Sequence, residues 1–366
     1  MSKISVKQLS IIIAVTFSVV KFYVLPAHLS SYSHEAGYLS LIVSFSIDFL
    51  LLLLCIYIVK NQPFNSVYDT SCEIFGKTLT KIVFILYCAY FLLKAFIPIL
   101  EQKNTISLTF YESQPTLLIF MPYFIVAFYL IIKGVNAFAR SIEIITWLFV
   151  LGLIITFALS IPAGKYASLL PVIQPVNKVF SGFYNSLLWF GDPVIILFLA
   201  EFLSDKKGLY KKTIIGYLIA TLVTVSLFIV FYSIFQSLAE RQYYAPIKMS
   251  KYSITLSNIG RLDYFGSLMF SVVSVYGMTL PLLIATICIN KVFSLKKNVI
   301  IPAIVTSIEL LMVFFFQNEI FTSIDFFQIY ILPFMLAVCY LLPILLFVGV
   351  LFYKRKPAKL KGAKNV

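Results

Sequence analysis

Residues 189–202 read WFGDPVIILFLAEF. The stretch lies in an apolar run long enough to cross a bilayer, yet Gly191, Asp192 and Pro193 put a flexible residue, a charge and a helix breaker inside it. In hydrocarbon every backbone N–H and C=O must find a partner within the protein. An interrupted helix survives at that depth only where the freed groups line a cavity or are covered by protein. The triplet therefore marks either a simple kink, with Asp192 satisfied by a neighbour, or an unwound helix that faces a central site.

The surrounding sequence supports a membrane setting. Of 366 residues, 61% are hydrophobic and only 12% charged, against roughly a quarter charged in a soluble domain. Long apolar runs recur from end to end, so the expected fold class is an all-α polytopic membrane protein. Ten transmembrane helices are expected, at about 9–29, 37–59, 79–101, 114–133, 140–162, 180–203, 212–236, 264–290, 298–317 and 328–353. Each is close to the ~20 residues that the hydrocarbon core requires. Residues 1–353 read as a single integral membrane domain and 354–366 as a basic tail. The first run follows Lys3 and Lys7 without a small-residue cleavage pattern, and reads as a retained span. The five cysteines form no CxxC pair and read as small buried hydrophobes.

Basic residues set the expected orientation. With the N-terminus inside, twenty Lys and Arg fall on the cytoplasmic side and seven outside, leaving Lys21 and Lys94 within spans. This positive-inside bias places both termini in the cytoplasm. The net charge of +14 then needs no nucleic acid. The tail KRKPAKLKGAKN can meet anionic membrane lipids, at about 1 kcal/mol per basic residue. The outer connection at about 237–263 is too polar to span and reads as a partly helical cap.

Ten spans divide into two sets of five, repeat one over about 9–162 and repeat two over about 180–353. FGDP opens the second set. An inverted repeat predicts a matching break in the first span, and SVVKFYVLP at 18–26 supplies one, with Lys21 mid-span and Pro26 following. Helix breaks are thus expected at Gly191, Pro193 and Pro26. Ionisable residues inside spans are costly and mark candidate sites. Lys21 is expected to meet Asp192 across the centre, or the carboxylate of an amino-acid ligand, or to snorkel outward. Asp48 and Lys94 are candidates to pair, with Lys94 otherwise facing an outer vestibule. Glu201 suits an interface, and Glu309 a buried hydrogen bond or a proton relay. His28, His34 and Glu35 are too loosely spaced for a metal site, and neither metal nor other cofactor is expected. Phe17, Ser18, Tyr90, Trp189, Phe270 and Ser274 complete the expected ligand-facing set with Lys21, Gly191 and Asp192, and Tyr276 is a further pocket candidate.

Several stretches carry a family likeness: ISVKQLSIIIAVTF, YVLPAHLSSYSHEAGYLSLIVS, KGVNAFARSIEIITWLFVL, LLPV, WFGDPVIILFLAEFLSDKKGLYKK and SNIGRLDYFGSLMFSV. In this order they resemble the B subunit of the spore nutrient germinant receptors, within the amino acid–polyamine–organocation transporter superfamily. The resemblance implies a LeuT-like five-plus-five inverted repeat with broken helices 1 and 6, and a central site between spans one, three, six and eight. It implies residence in the inner membrane of the spore beside an A subunit and a lipoprotein C subunit. It also implies recognition of a small germinant, often an amino acid, that triggers germination. One departure is that Ser18-Val19-Val20 and Lys21 stand where the family usually carries a small residue. An amino-acid permease of the same fold is the alternative. A membrane-embedded transferase or hydrolase is disfavoured, because the chain has two histidines at one turn and no GxSxG or HExxH motif, so no catalytic residue is assigned.

Overall fold

The computed structural model describes residues 3–110, 116–251, 262–295, 299–316 and 320–355. Among these the secondary structure is helical, apart from one isolated backbone bridge between Ile4 and Leu203.

Helix α1 (Val6–Val19) starts at Ser5. The Ser5 hydroxyl accepts from the Gln8 N–H at 3.2 Å, and the Gln8 side chain accepts from the Ser5 N–H at 2.8 Å. This reciprocal cap satisfies N–H groups that the first helical turn leaves free. α1 ends after 14 residues. Residues 20–24 are not helical, and α2 (Leu25–Ser33) resumes with Pro26 in its first turn. Proline fits there, because first-turn N–H groups have no helical partner. Pro26 therefore opens the second helix, and the break expected at Pro26 lies just ahead of it. A turn at His34–Ala36 leads into α3 (Gly37–Asn61), followed by α4 (Val67–Phe75), α5 (Lys77–Phe110), α6 (Thr116–Lys133) and α7 (Val135–Ser160).

The second interruption has the same layout. Helix α8 (Val176–Ser186) passes through one tight turn and stops at Phe190 and Gly191. Gly191 has φ +90, which residues with a Cβ seldom adopt. Pro193 sits in the tight turn Asp192–Val194, ahead of α9 (Ile195–Leu199). The chain continues through α10 (Leu209–Phe235), α11 (Ala245–Lys251), α12 (Leu262–Val292) and α13 (Ile300–Phe315). A final rod comprises α14 (Ile320–Phe326), α15 (Leu332–Leu336) and α16 (Leu342–Arg355). Its helices are joined by wide π turns at Phe327–Ile331 and Ala337–Leu341. Each wide turn immediately precedes a first turn that contains proline, Pro333 or Pro343. Proline lacks an N–H and collides with the carbonyl four residues back, and one extra residue in the turn relieves that collision.

Among the described residues, seven helical segments are long and apolar enough to cross a membrane. Three of the ten expected spans fall instead on shorter apolar helices: Val6–Val19, Phe120–Lys133 and Ile300–Phe315. The first is short because the break ends α1, while the chain from Leu25 stays helical to Asn61 apart from one turn. In the connection after α10, Gln236–Arg241 and α11 are helical as expected. Its residues 252–261, Lys296 and Lys297, and the tail from 356 onward lie outside the described residues.

In lipid, apolar contact alone does not draw helices together, so close seams use small residues. α3 and α8 meet along such a seam. Ser44 and Ser186 hydroxyls are 2.7 Å apart, and Ser40 donates to the Val179 carbonyl at 3.0 Å. α1 packs against α7, α10 and α12. On α12, Gly277 makes room for the first break, since an added Cβ would lie 2.7 Å from Val20 Cγ1.

A pair of substitutions separates backbone strain from crowding at the second break. Gly76 shares the left-handed backbone (φ +83), but an added Cβ there meets nothing within 4 Å. At Gly191 it would meet Tyr90 Oη at 2.8 Å and Cys339 Sγ at 3.0 Å. Thermal unfolding in detergent should show Gly76→Ala losing about 1–2 kcal/mol, the left-handed penalty alone, and Gly191→Ala losing clearly more. Equal losses would mean that close approach is not a constraint at Gly191.

Candidate functional site

An interrupted helix leaves backbone groups without their ladder partners. Side chains from distant parts of the chain meet that demand here. The Gly191 N–H donates to Asp48 Oδ1 at 2.9 Å, and the Gly191 carbonyl accepts from the Tyr90 hydroxyl at 3.1 Å. The Phe190 carbonyl accepts from Lys94 Nζ at 2.5 Å. At the first break, the Phe17 carbonyl accepts from Lys21 Nζ at 3.0 Å. Asp48 comes from α3, Tyr90 and Lys94 from α5, and Lys21 from the first break itself.

The same side chains form a charge cluster around Asp192. Lys21 Nζ pairs with Asp192 Oδ2, and Lys94 Nζ lies 3.2 Å from Oδ1. Asp48 Oδ1 also accepts from the Tyr340 hydroxyl at 3.0 Å. Relative exposures are 1% for Lys21, 7% for Lys94, 4% for Asp192 and 1% for Asp48, so water screens these charges little. Two ammonium groups face two carboxylates, and the formal charges balance. The Lys21 ammonium also lies 5.0 Å from the Phe190 ring centroid, 5.8 Å from Phe45 and 5.9 Å from Phe17, within cation–π range. Such a cluster adds little to net stability, but losing one member strands a buried charge.

Phe17, Lys21, Tyr90, Gly191 and Asp192 thus converge on one point between the breaks. Others of the expected set face elsewhere. The Ser18 hydroxyl donates to the Ala14 carbonyl at 2.6 Å and Ser274 to the Ser271 carbonyl at 2.8 Å, each one turn back on its own helix. Phe270 packs edge-on against Phe22 of the first break at 5.6 Å, and Tyr276 packs tilted against Phe138 at 5.5 Å. Trp189 turns away from the cluster and donates from Nε1 to Glu101 Oε1 at 2.8 Å. Asp48 and Lys94 do not bond each other: Lys94 joins Asp192, and Asp48 holds the Gly191 backbone. Glu201 pairs with Lys291 at 2.7 Å. Glu309 is fully buried, with neither oxygen hydrogen-bonded among the described residues. Among the described residues no group of three or more His, Cys, Asp and Glu could hold a metal ion. Glu35 pairs with Lys178 at 2.8 Å, and His28 packs on Trp189 at 5.2 Å.

Two contributors escaped the sequence reading, Tyr340 and Glu101. Tyr340 reaches Asp48 from the second π turn, which no local sequence period announces. Glu101 had a usable signal, because it stands seven residues after Lys94 and so on the same face of α5. Beside the cluster lies a narrow cleft of about 10 Å³, lined by Val20, Lys94, Pro98, Leu188, Trp189 and Met335, among others.

The cluster predicts an unequal pair of losses. Asp192→Asn leaves two lysines facing only Asp48, and should cost about 3–5 kcal/mol. Lys21→Met leaves Asp192 still paired with Lys94 and should cost less. The double variant should be more stable than the two losses added together predict, as chemical denaturation in detergent would show through a double-mutant cycle. Strict additivity would mean that the ion pair has no energetic role.

Two curated proteins of Bacillus subtilis (strain 168) are similar to this chain. Spore germination protein A2 is 22% identical over 195 residues, 53% of each chain. Spore germination protein YndE is 23% identical over 217 residues, 59% of this chain and 60% of the relative. The chain thus spans little more than half the length of these relatives. A family model described as spore germination protein matches residues 3–322. That match covers most of the chain, and among the described residues seven helices are apolar and long enough to span a bilayer: this is an integral membrane protein of the spore germination protein family.

Proposed function

We propose that this protein is the membrane subunit of a spore germinant receptor, and that it binds a small nutrient germinant of the amino-acid class between its two helix breaks. The observation that carries the reading is the meeting of both breaks at one buried charge cluster. Paired broken helices with exposed backbone and a central charge are how transporter-type folds hold small charged ligands near the bilayer midplane. On this reading the helices form a LeuT-like five-plus-five inverted repeat, with the Val20–Val24 and Phe190–Gly191 breaks in its first and sixth members. Lys21, Tyr90, Gly191 and Asp192 face the ligand, with Phe17 and Trp189 as apolar walls. Family membership supports a role in germination. The companion A subunit and lipoprotein C subunit, the spore inner membrane and cytoplasmic termini belong to the same proposal. Binding biases the bundle between two arrangements only as far as the ligand prefers one of them.

The same geometry supports a second reading as an amino-acid permease, since a transporter pocket also sits between paired breaks. Proteoliposomes holding the purified protein separate the two. Equilibrium binding and timed uptake of labelled amino acids are measured together. The receptor reading expects saturable binding without uptake; concentrative or exchange uptake would make the protein a permease. Folded Lys21→Met and Asp192→Asn variants should each bind at least about tenfold more weakly, equivalent to about 1.4 kcal/mol. Unchanged binding in both would remove the central cluster from the site.

A further inference from the structure

The C-terminal part of α5 carries buried polar atoms that the charge cluster does not use. Glu101 accepts from the Trp189 indole through Oε1, whereas Oε2 has no hydrogen-bond partner among the described residues. Oε1 of Gln102, the Tyr23 hydroxyl and the Ser271 hydroxyl are likewise unpartnered. Ser271 is the most exposed of these four residues, at 5%, so bulk water does not satisfy them.

The Tyr23 hydroxyl ties the group together. It faces Ser271 and Ser274 and lies within electrostatic reach of Glu101 and Tyr123. Gln102 donates from Nε2 to the Tyr123 hydroxyl at 3.3 Å, and that hydroxyl donates to the Ser271 carbonyl at 3.0 Å. Tyr123 has thus given up its one proton, so the Gln102 amide presents its NH2 there and keeps Oε1 as a free acceptor. The backbone N–H of Val24, the last residue of the first break, faces the Glu101 carboxylate.

The chemistry of this group is selective. A buried carboxylate with an open oxygen needs a proton or a cation. Among the described residues no lysine or arginine pairs with Glu101, in contrast to Asp192. The other open atoms are an amide oxygen and two hydroxyl oxygens, all neutral. Oxygen donors hold hard cations. One carboxylate balances one positive charge, and a divalent ion would leave a second charge uncompensated in a poorly screened site. Glu101 does not line the narrow cleft at Lys94 and Trp189, which favours a bare ion over an organic amine.

We infer that Glu101, Gln102, Tyr23 and Ser271 form an oxygen-only site for a monovalent alkali cation. The site stands apart from the Lys21–Asp192 cluster. Trp189 leads into the second break, and Tyr23 and Val24 belong to the first, so an ion held there ties the two breaks together. The inference does not depend on whether the protein binds an amino acid.

The full chain in detergent is tested by equilibrium dialysis against radioactive sodium and rubidium, rubidium standing for potassium, in a choline chloride buffer. The wild type should bind one of the two ions saturably. Glu101→Gln should bind it at least about tenfold more weakly, and Ser271→Ala, which loses a neutral oxygen only, more weakly by a smaller factor. Glu309→Gln alters another buried acid without hydrogen-bond partners among the described residues and should bind as the wild type does. A wild type that binds neither ion, or binding unchanged in Glu101→Gln, overturns the site. If Glu101→Gln fails to fold, Trp189 supplies a readout that leaves Glu101 intact. The chain has two tryptophans, and Trp147 is exposed, so Trp147→Phe makes Trp189 the sole emitter. Its emission should shift saturably with the alkali chloride and not with choline chloride of equal ionic strength. Emission that follows pH and ignores both alkali ions would mean that a proton satisfies Glu101, and would likewise overturn the site.

Discussion

A helix interrupted in hydrocarbon must have its freed backbone groups satisfied by something other than water, and the rest of this structure follows from that constraint. Each unsatisfied group costs several kcal/mol at membrane depth. At Gly191 both groups are covered, the N–H by Asp48 and the carbonyl by Tyr90, while Lys94 covers the carbonyl of Phe190. The dependence runs both ways. The break exists because α3 and α5 carry polar side chains at that depth, and those side chains are tolerated because the break offers them partners. Charges spread over four distant stretches of sequence thereby become one balanced cluster.

Precise delivery of those side chains depends on plain packing devices. Asp48 lies one turn beyond Ser44 on α3. The Ser44–Ser186 contact brings α3 against α8 just before α8 ends, so the next inward-facing position on α3 meets the Gly191 N–H. A large residue at Ser44 or Ser186 would hold the helices apart and lift the carboxylate off its donor. The second π turn does the corresponding work in the final rod. By widening one turn ahead of Pro343, it lets Tyr340 bond Asp48 while Cys339 lies against Gly191.

The parts of the fold that sequence made legible are those where a residue type conflicts with its surroundings. Gly-Asp-Pro in an apolar run and a lysine in the middle of a first span have no comfortable place in a plain helix, and both stand at breaks. The first break falls inside the expected stretch 18–26, at residues 20–24, and Pro26, like Pro193 at the second break, sits in the first turn after it rather than at the stop itself. Partner choice was less legible. Lys94 and Asp48 both read as intramembrane charges, but only the side on which α3 and α5 each approach the second break decides that Lys94 meets Asp192 and Asp48 meets a backbone N–H. Glu101 was absorbed into the end of an apolar run, where an acid ordinarily reads as interfacial. Its burial comes from α5 continuing to Phe110, well past the expected boundary.

The two interrupted segments are tied together twice. In the middle, Lys21 meets Asp192. Beyond α9, the Ile4 N–H donates to the Phe202 carbonyl at 2.8 Å and the Ser204 N–H to the Ile4 carbonyl at 2.9 Å. A displacement of the second segment must therefore carry α1 along, or give up both ties. The two lysines on Asp192 are not equivalent in this respect. Lys21 is enclosed by three aromatic rings and belongs to the first break, whereas Lys94 lines the cleft and holds Asp192 through the longer contact of 3.2 Å. On the proposed receptor reading, an anionic ligand that reached Lys94 would compete with Asp192 there before it met Lys21. Its first effect would be to loosen Asp192 from α5 while the pair with Lys21 keeps the two broken segments joined. The segments would then respond as one body moving against α5, rather than as two halves coming apart.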